Sequence, residues 1–131
     1  MNRILYTMIR VGDLERSISF YKQLGMTELR RRDVPEGRYT LTFLGCGEAA
    51  GSGLELTYNY GIETYEHGNA FGQLVIEVPD IYHLCGSLRA AGVKIRRDPG
   101  PVKFGASIIA FVEDPDGYKV ELIQHARAAS A

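Results

Sequence analysis

Cysteine is scarce in this chain of 131 residues: Cys46 and Cys85 are its only two. That is too few for a disulfide scaffold, and their spacing is not that of a metal-binding pair, so a reducing, cytoplasmic setting is expected. An excess of charge is lacking too. Fifteen Lys and Arg stand against sixteen Asp and Glu, which leaves no bulk cationic field for nucleic acid or anionic lipid. Long apolar runs are also missing. Ile108 to Val112 is much too short to cross a bilayer, and residues 1–6 lack the apolar core and small-residue cleavage site of a signal peptide. Neither nucleic acid nor a membrane is an expected partner. What remains is 45% hydrophobic and 24% charged, an ordinary globular balance at the length of one domain or two very small ones.

The chain repeats itself. Val11-Gly12-Asp13-Leu14 opens a helical pattern that closes at Leu24-Gly25-Met26, and Val78-Pro79-Asp80-Ile81 opens another that closes at Ala91-Gly92-Val93, both ends offset by 67 residues. Leu54-Glu55-Leu56 matches Val120-Glu121-Leu122 at an offset of 66. Two similar modules follow, residues 1–62 and 68–131, within a single domain spanning 1–131. Each reads as strand, helix and three strands. Asp13 and Asp80 are N-cap residues, and Gly25 and Gly92 sit where a left-handed C-terminal residue is wanted. Leu14, Ile18, Tyr21 and Leu24 share one helical face, as do Ile81, Leu84, Cys85 and Leu88.

The candidate strands are Met26–Arg31, Tyr39–Leu44 and Gly53–Tyr58, then Lys94–Arg97, Ala106–Val112 and Lys119–Ile123. Turn signals stand at Asp33–Gly37 and Asp114–Gly117. Gly45 to Gly53 reads as a hairpin connection and not a phosphate loop, because no Gly-Lys-Ser/Thr follows it. The tail from Ala126 to Ala131 reads as fraying. The fold class is therefore α+β, two tandem βαβββ modules whose curled mixed sheets cover each other's edges, with a homodimer covering more.

The repeat also exposes a constellation. In the first strand of each half, equivalent places hold Tyr6 and Gln73; the fourth strands supply Glu55 and Glu121. Each Glu is flanked by apolar residues, so it lies on the opposite face of its strand. If those neighbours pack under the helices, four polar side chains gather around one cavity. The plainer reading is a solvated carboxylate on a one-sided sheet, but recurrence at matched places favours a site. His67, His83 and His125 read as surface residues, Cys85 as core and Cys46 as a loop thiol.

Three segments carry a resemblance. Thr7-Met8-Ile9-Arg10-Val11-Gly12-Asp13-Leu14, Leu54-Glu55-Leu56-Thr57-Tyr58-Asn59 and Ala110-Phe111-Val112-Glu113-Asp114-Pro115-Asp116-Gly117-Tyr118 resemble the glyoxalase I (lactoylglutathione lyase) family of the vicinal-oxygen-chelate superfamily, in its short bacterial form. The likeness runs over about residues 3–124. It implies paired βαβββ modules, a homodimer with sites at its interface, and isomerisation of the methylglyoxal–glutathione hemithioacetal to S-lactoylglutathione with a divalent metal (Ni, Co, Zn or Mn).

The family's four metal positions fall on Tyr6, Glu55, Gln73 and Glu121. Short bacterial members usually carry His at the first and third of these, so this chain keeps both carboxylates and has neither imidazole. An all-oxygen set suits harder ions such as Mn²⁺ or Mg²⁺ better than nickel or zinc. The resemblance makes Glu121 the main base with Glu55 its counterpart. It matches Arg10 and Asn59 to positions contacting the γ-glutamyl part of glutathione, and Lys103 to a basic residue near the glycyl carboxylate. Two other readings stand beside this one: a silent relative that binds glutathione conjugates or another small ligand, and a vicinal-oxygen-chelate enzyme with another substrate.

Overall fold

The structure, a computed structural model, describes residues 1–47 and 53–126. Residues 48–52 of the predicted Gly45–Gly53 connection and residues 127–131 of the predicted fraying tail lie outside the described residues. Contacts divide the chain into two units, Met1–Glu66 and His67–Ala131.

In the first unit, strand β1 (Tyr6–Arg10) leads to Asp13, whose carboxylate accepts the backbone N–H of Arg16 at 3.1 Å and so satisfies one of the free donors opening helix α1 (Leu14–Gln23). The helix stops where Gly25 adopts φ +93°, a left-handed conformation that costs glycine little. Leu14, Ile18, Tyr21 and Leu24 are buried as expected, and Ser17 and Phe20 widen the stripe. Strands β2 (Thr27–Val34), β3 (Tyr39–Gly45) and β4 (Gly53–Asn59) complete a sheet ordered β1-β4-β3-β2. β1 and β4 are parallel and the other pairs antiparallel, because a parallel partner has to be reached by a crossover.

The second unit repeats this with β5 (Leu74–Glu77), α2 (Ile81–Ala90), β6 (Ile95–Pro101), β7 (Ile108–Glu113) and β8 (Lys119–Gln124), ordered β5-β8-β7-β6. Asp80 accepts the backbone N–H of His83 at 3.1 Å, and Gly92 has φ +84°. Ile81, Cys85 and Leu88 are buried, whereas Leu84 is half-buried. Burial raises the Cys85 thiol's pKa, with the nearby Asp98 charge adding to it, so Cys85 behaves as core. At the turn into β8, buried Asp114 accepts the backbone N–H groups of Asp116 and Tyr118, each at 2.9 Å, and Gly117 adopts φ +91°.

Two strands run three or more residues past their expected ends. β2 continues through Asp33 to Val34, so Asp33 is a strand residue whose carboxylate accepts the Thr40 hydroxyl at 2.8 Å. The tight turn is left to a 3₁₀ segment, Pro35–Gly37, followed by Arg38 at φ 58°. β6 reaches Pro101, with register breaks between Ile95 and Arg97 and between Arg97 and Gly100. Such irregularities let a proline-containing edge strand keep pairing where a regular ladder would fail.

Ion pairs fasten these edge strands. The Glu113 carboxyl is held below its ordinary value of 4.5, chiefly by its hydrogen bond from Arg96 at 2.8 Å and also by Lys94. Glu28 is likewise lowered by hydrogen bonds from Arg31 and Thr42. A carboxylate with a depressed folded pKa stabilises the protein above its unfolded pKa, and that stability drains away as pH falls through the folded value. The melting temperature should therefore drop as pH is lowered from 4.5. Glu113→Gln should lower it at neutral pH and shrink its fall over the acid window. A fall as steep in the variant as in the parent would contradict the pairing.

Candidate functional site

The apolar residues beside each glutamate do pack inward. Leu54 and Leu56 are buried in the first unit and Val120 and Leu122 in the second, while Glu55 and Glu121 are half-exposed on the other face. Register fixes their surroundings. Glu55 stands between Met8 on β1 and Phe43 on β3; Glu121 stands between Val75 on β5 and Phe111 on β7. The two carboxylates occupy the same node of two equivalent sheets.

In the first unit, alternation puts Tyr6, Met8 and Arg10 of β1 on the face that carries Glu55, Thr57 and Asn59 of β4. Four of the seven residues singled out from the sequence thus share one sheet face. The Tyr6 ring packs on Phe43 with centroids 4.5 Å apart. Gly53 makes this possible, because a Cβ there would stand 3.1 Å from Tyr6 Cδ1 and 3.1 Å from the Leu44 carbonyl oxygen. The Thr57 hydroxyl donates to Glu55 Oε2 at 3.1 Å. Asn59 donates its side-chain N–H to the Tyr65 hydroxyl at 3.0 Å, and Arg10 is exposed at the end of β1.

In the second unit, Gln73 lies one residue ahead of β5 and donates its amide N–H to Glu121 Oε1 at 2.5 Å. Its carbonyl oxygen is thereby turned from the carboxylate. Lys103 is exposed in the connection after β6, its Nζ 5.4 Å from the Phe104 ring centroid.

Sequence reasoning missed the ring beside each glutamate, Phe43 and Phe111, each topped by a cation: Arg30 at 4.4 Å and Lys119 at 4.2 Å. Extending the repeat to the third strands would have found them. It also misread His67. That ring is half-buried and stacks on Tyr118 at 4.1 Å, with Phe71 edge-on to Tyr118 at 5.0 Å. The cluster ties residues 67–71 to the start of β8, next to where Gln73 meets Glu121. His83 and His125 are exposed as expected.

Among the described residues no three His, Cys, Asp or Glu side chains gather as a metal cluster. The four candidates bring one carboxylate and one neutral oxygen donor per unit, with no imidazole. By donor chemistry that set fits a hard, oxygen-seeking divalent cation and not the nitrogen-rich environment that nickel and zinc favour. Among the described residues no helix is long and apolar enough to cross a membrane.

Known proteins resemble this chain in sequence and fold. Residues 3–122 match the Glyoxalase/Bleomycin resistance protein/Dioxygenase superfamily. The chain is 56% identical over 126 residues to the lactoylglutathione lyase of Haemophilus influenzae, covering 94% of this chain and 93% of that one. It is 55% identical over 129 residues to the probable lactoylglutathione lyase of Vibrio cholerae, covering 97% and 94%. The crystal structure of glyoxalase I from Zea mays superposes with a TM-score of 0.88 at 48% identity, over 96% of this chain and 46% of the maize chain, so this chain spans about half of that one. These identities favour the enzyme over the silent relative. The chain belongs to the Glyoxalase/Bleomycin resistance protein/Dioxygenase superfamily, in the branch whose curated members are named lactoylglutathione lyase.

Proposed function

We propose that this chain isomerises the hemithioacetal of methylglyoxal and glutathione to S-lactoylglutathione, as a cytoplasmic homodimer. The observation that carries the reading is the matched pair of carboxylates, Glu55 and Glu121, at the same node of both sheets on their helix-free faces. Relatives more than 50% identical and bearing that activity in their names support it. Exposed apolar side chains, Met8 at 42%, Val75 at 58% and Phe104 at 89%, support association with a second copy.

Glu121 is the proposed base. Its carboxylate removes the hydrogen on the carbon bonded to sulfur, and the C–H electron pair becomes the double bond of an enediolate. The resulting carboxylic acid returns that proton to the neighbouring carbon, while the hydroxyl proton passes to the neighbouring oxygen, so atoms and charge balance. Gln73, bonded to Glu121 Oε1, fixes the carboxyl's orientation and leaves Oε2 for the proton. Glu55, held by Thr57, is the counterpart on the opposite face of the substrate. Tyr6, Glu55, Gln73 and Glu121 are the proposed ligands of a divalent ion, for which Mn²⁺ suits the donors best. When bound, that ion stabilises the negative charge that develops on the two adjacent oxygens. Arg10, Asn59 and Lys103 are the proposed contacts to glutathione.

The test is formation of the S-lactoylglutathione thioester by purified protein supplied with methylglyoxal, glutathione and each of several divalent ions. Turnover greatest with Mn²⁺ is the expected result. No turnover with any ion, alongside retained affinity for S-substituted glutathione, would replace the lyase by a binding protein.

A further inference from the structure

The connection that leaves β4 has no regular secondary structure at residues 62–67, and its residues 61–64 and 66 are exposed. Tyr65 breaks that pattern. Its side chain is half-buried, turned inward from a segment otherwise open to water, and its hydroxyl accepts the side-chain N–H of Asn59 at 3.0 Å. An amphipathic ring that covers its body aims its polar tip at a particular partner. The partner here sits at the end of β4, on the face that carries Glu55.

The backbone that carries Tyr65 is held before it reaches the ring. The Ile62 N–H donates to the Asn59 carbonyl at 3.0 Å, and Gly61, at φ +83°, supplies the left-handed residue of that turn. The Gly61 N–H donates to the Tyr58 hydroxyl at 3.1 Å, and the Tyr60 N–H to the Arg38 carbonyl at 3.0 Å. Farther on, the Glu63 carbonyl rests against Gly12, where any Cβ would collide with it. The path of residues 60–63 is thus fixed two residues short of Tyr65. The Asn59 side chain, by contrast, has the Tyr65 hydroxyl as its one hydrogen-bond partner among the described residues.

We propose that Tyr65 is a positioning residue for the reaction and acts through Asn59: its hydroxyl holds the Asn59 amide in one orientation before the thiol substrate arrives. The terminal torsion of an asparagine is broad, and rotation about it exchanges a donor for an acceptor. Binding to a free amide must first arrest that motion, which weakens the complex; a hydrogen bond already made in the unliganded protein removes the penalty. With one N–H given to Tyr65, the amide keeps its carbonyl oxygen and its second N–H for the substrate. Asn59 meets a part of the substrate remote from the reacting carbons. Its contribution is therefore the same in the ground and transition states and belongs in KM, not in kcat. The role deepens the lyase reading and rests on it, and on Asn59 as a contact, for the identity of the substrate.

Tyr65→Phe keeps the ring and removes only the hydroxyl. KM for the hemithioacetal should rise about 3- to 10-fold, and S-methylglutathione should bind more weakly by the same factor. Both kcat and the melting temperature should hold, since water reaches the half-buried amide. Asn59→Ala alone should weaken binding, and adding Tyr65→Phe to it should cost nothing more, because Tyr65 has no other route to the substrate. Calorimetry with S-methylglutathione reads the parent, both single variants and the double variant without requiring turnover. Undiminished binding in Tyr65→Phe overturns the role. So does a loss that persists in the Asn59→Ala background, or a loss that falls on kcat. A parent protein that fails to bind S-methylglutathione overturns both this role and the lyase reading. Binding without turnover, with the dependence of Tyr65 on Asn59 intact, removes the lyase and keeps the positioning role.

Discussion

Glu121→Gln is expected to reduce turnover of the methylglyoxal–glutathione hemithioacetal by about 10²- to 10⁴-fold, equivalent to about 3–5 kcal/mol of barrier. The substitution keeps the size of the side chain and an oxygen to accept the Gln73 amide, now bonded at 2.5 Å. Leu122 and Val120 beside it remain buried. The fold should therefore persist with an unchanged melting temperature, and the loss should appear in kcat. Gln has no oxygen basic enough to take a proton from carbon and is a weaker ligand than a carboxylate, so the variant loses the proposed base and weakens the proposed metal site together, with the fold intact. Glu55→Gln provides the comparison. Should Glu121→Gln retain most of the activity while Glu55→Gln loses it, the two carboxylates have exchanged the roles assigned here.

Tyr6→His combined with Gln73→His should raise affinity for Ni²⁺ by about 100-fold or more, because imidazole nitrogen suits nickel where phenol and amide oxygen do not. Both positions tolerate the change on structural grounds. Tyr6 is 40% exposed and gives up its contact with Phe43, and a histidine at 73 retains an N–H to offer Glu121. Calorimetric titration with nickel reads the result directly, and nickel-supported turnover should rise with it. A folded double variant that gains no nickel affinity would show that these two positions do not limit the site. A phenol ligates well only as phenolate, so metal uptake by the parent protein should release protons that the double variant does not.

How much of this was legible beforehand follows from where the physics is local. The helix boundaries were, because a capping carboxylate at Asp13 or Asp80 and a left-handed glycine at Gly25 or Gly92 act within one turn of backbone. The facing of Glu55 and Glu121 was, because a strand alternates strictly and their flanking leucines and valine admit only one inside. Strand ends were not. Arg32 and Asp33, beyond the expected end at Arg31, have no apolar alternation, and their place in β2 comes from pairing with Leu41 and Thr40, which the sequence pattern does not show. Asp98–Pro101, beyond the expected end at Arg97, stays in β6 through register breaks that the sequence pattern does not show. The rings beside the glutamates escaped notice for the same reason, since Phe43 and Phe111 come next to Glu55 and Glu121 only across strands. His67 was misplaced because its stacking partner, Tyr118, lies fifty-one residues away.

The proposed ligand set, Tyr6 and Glu55 from one repeat with Gln73 and Glu121 from the other, has one direct test: Mn²⁺ binding followed by electron paramagnetic resonance in the parent, Glu55→Gln and Glu121→Gln proteins. Loss of the bound-ion signal in either single variant is the predicted result, because each variant removes one of the two carboxylates proposed for the same ion. Undiminished Mn²⁺ binding in both variants would contradict a shared site and, with it, the chemistry derived from it.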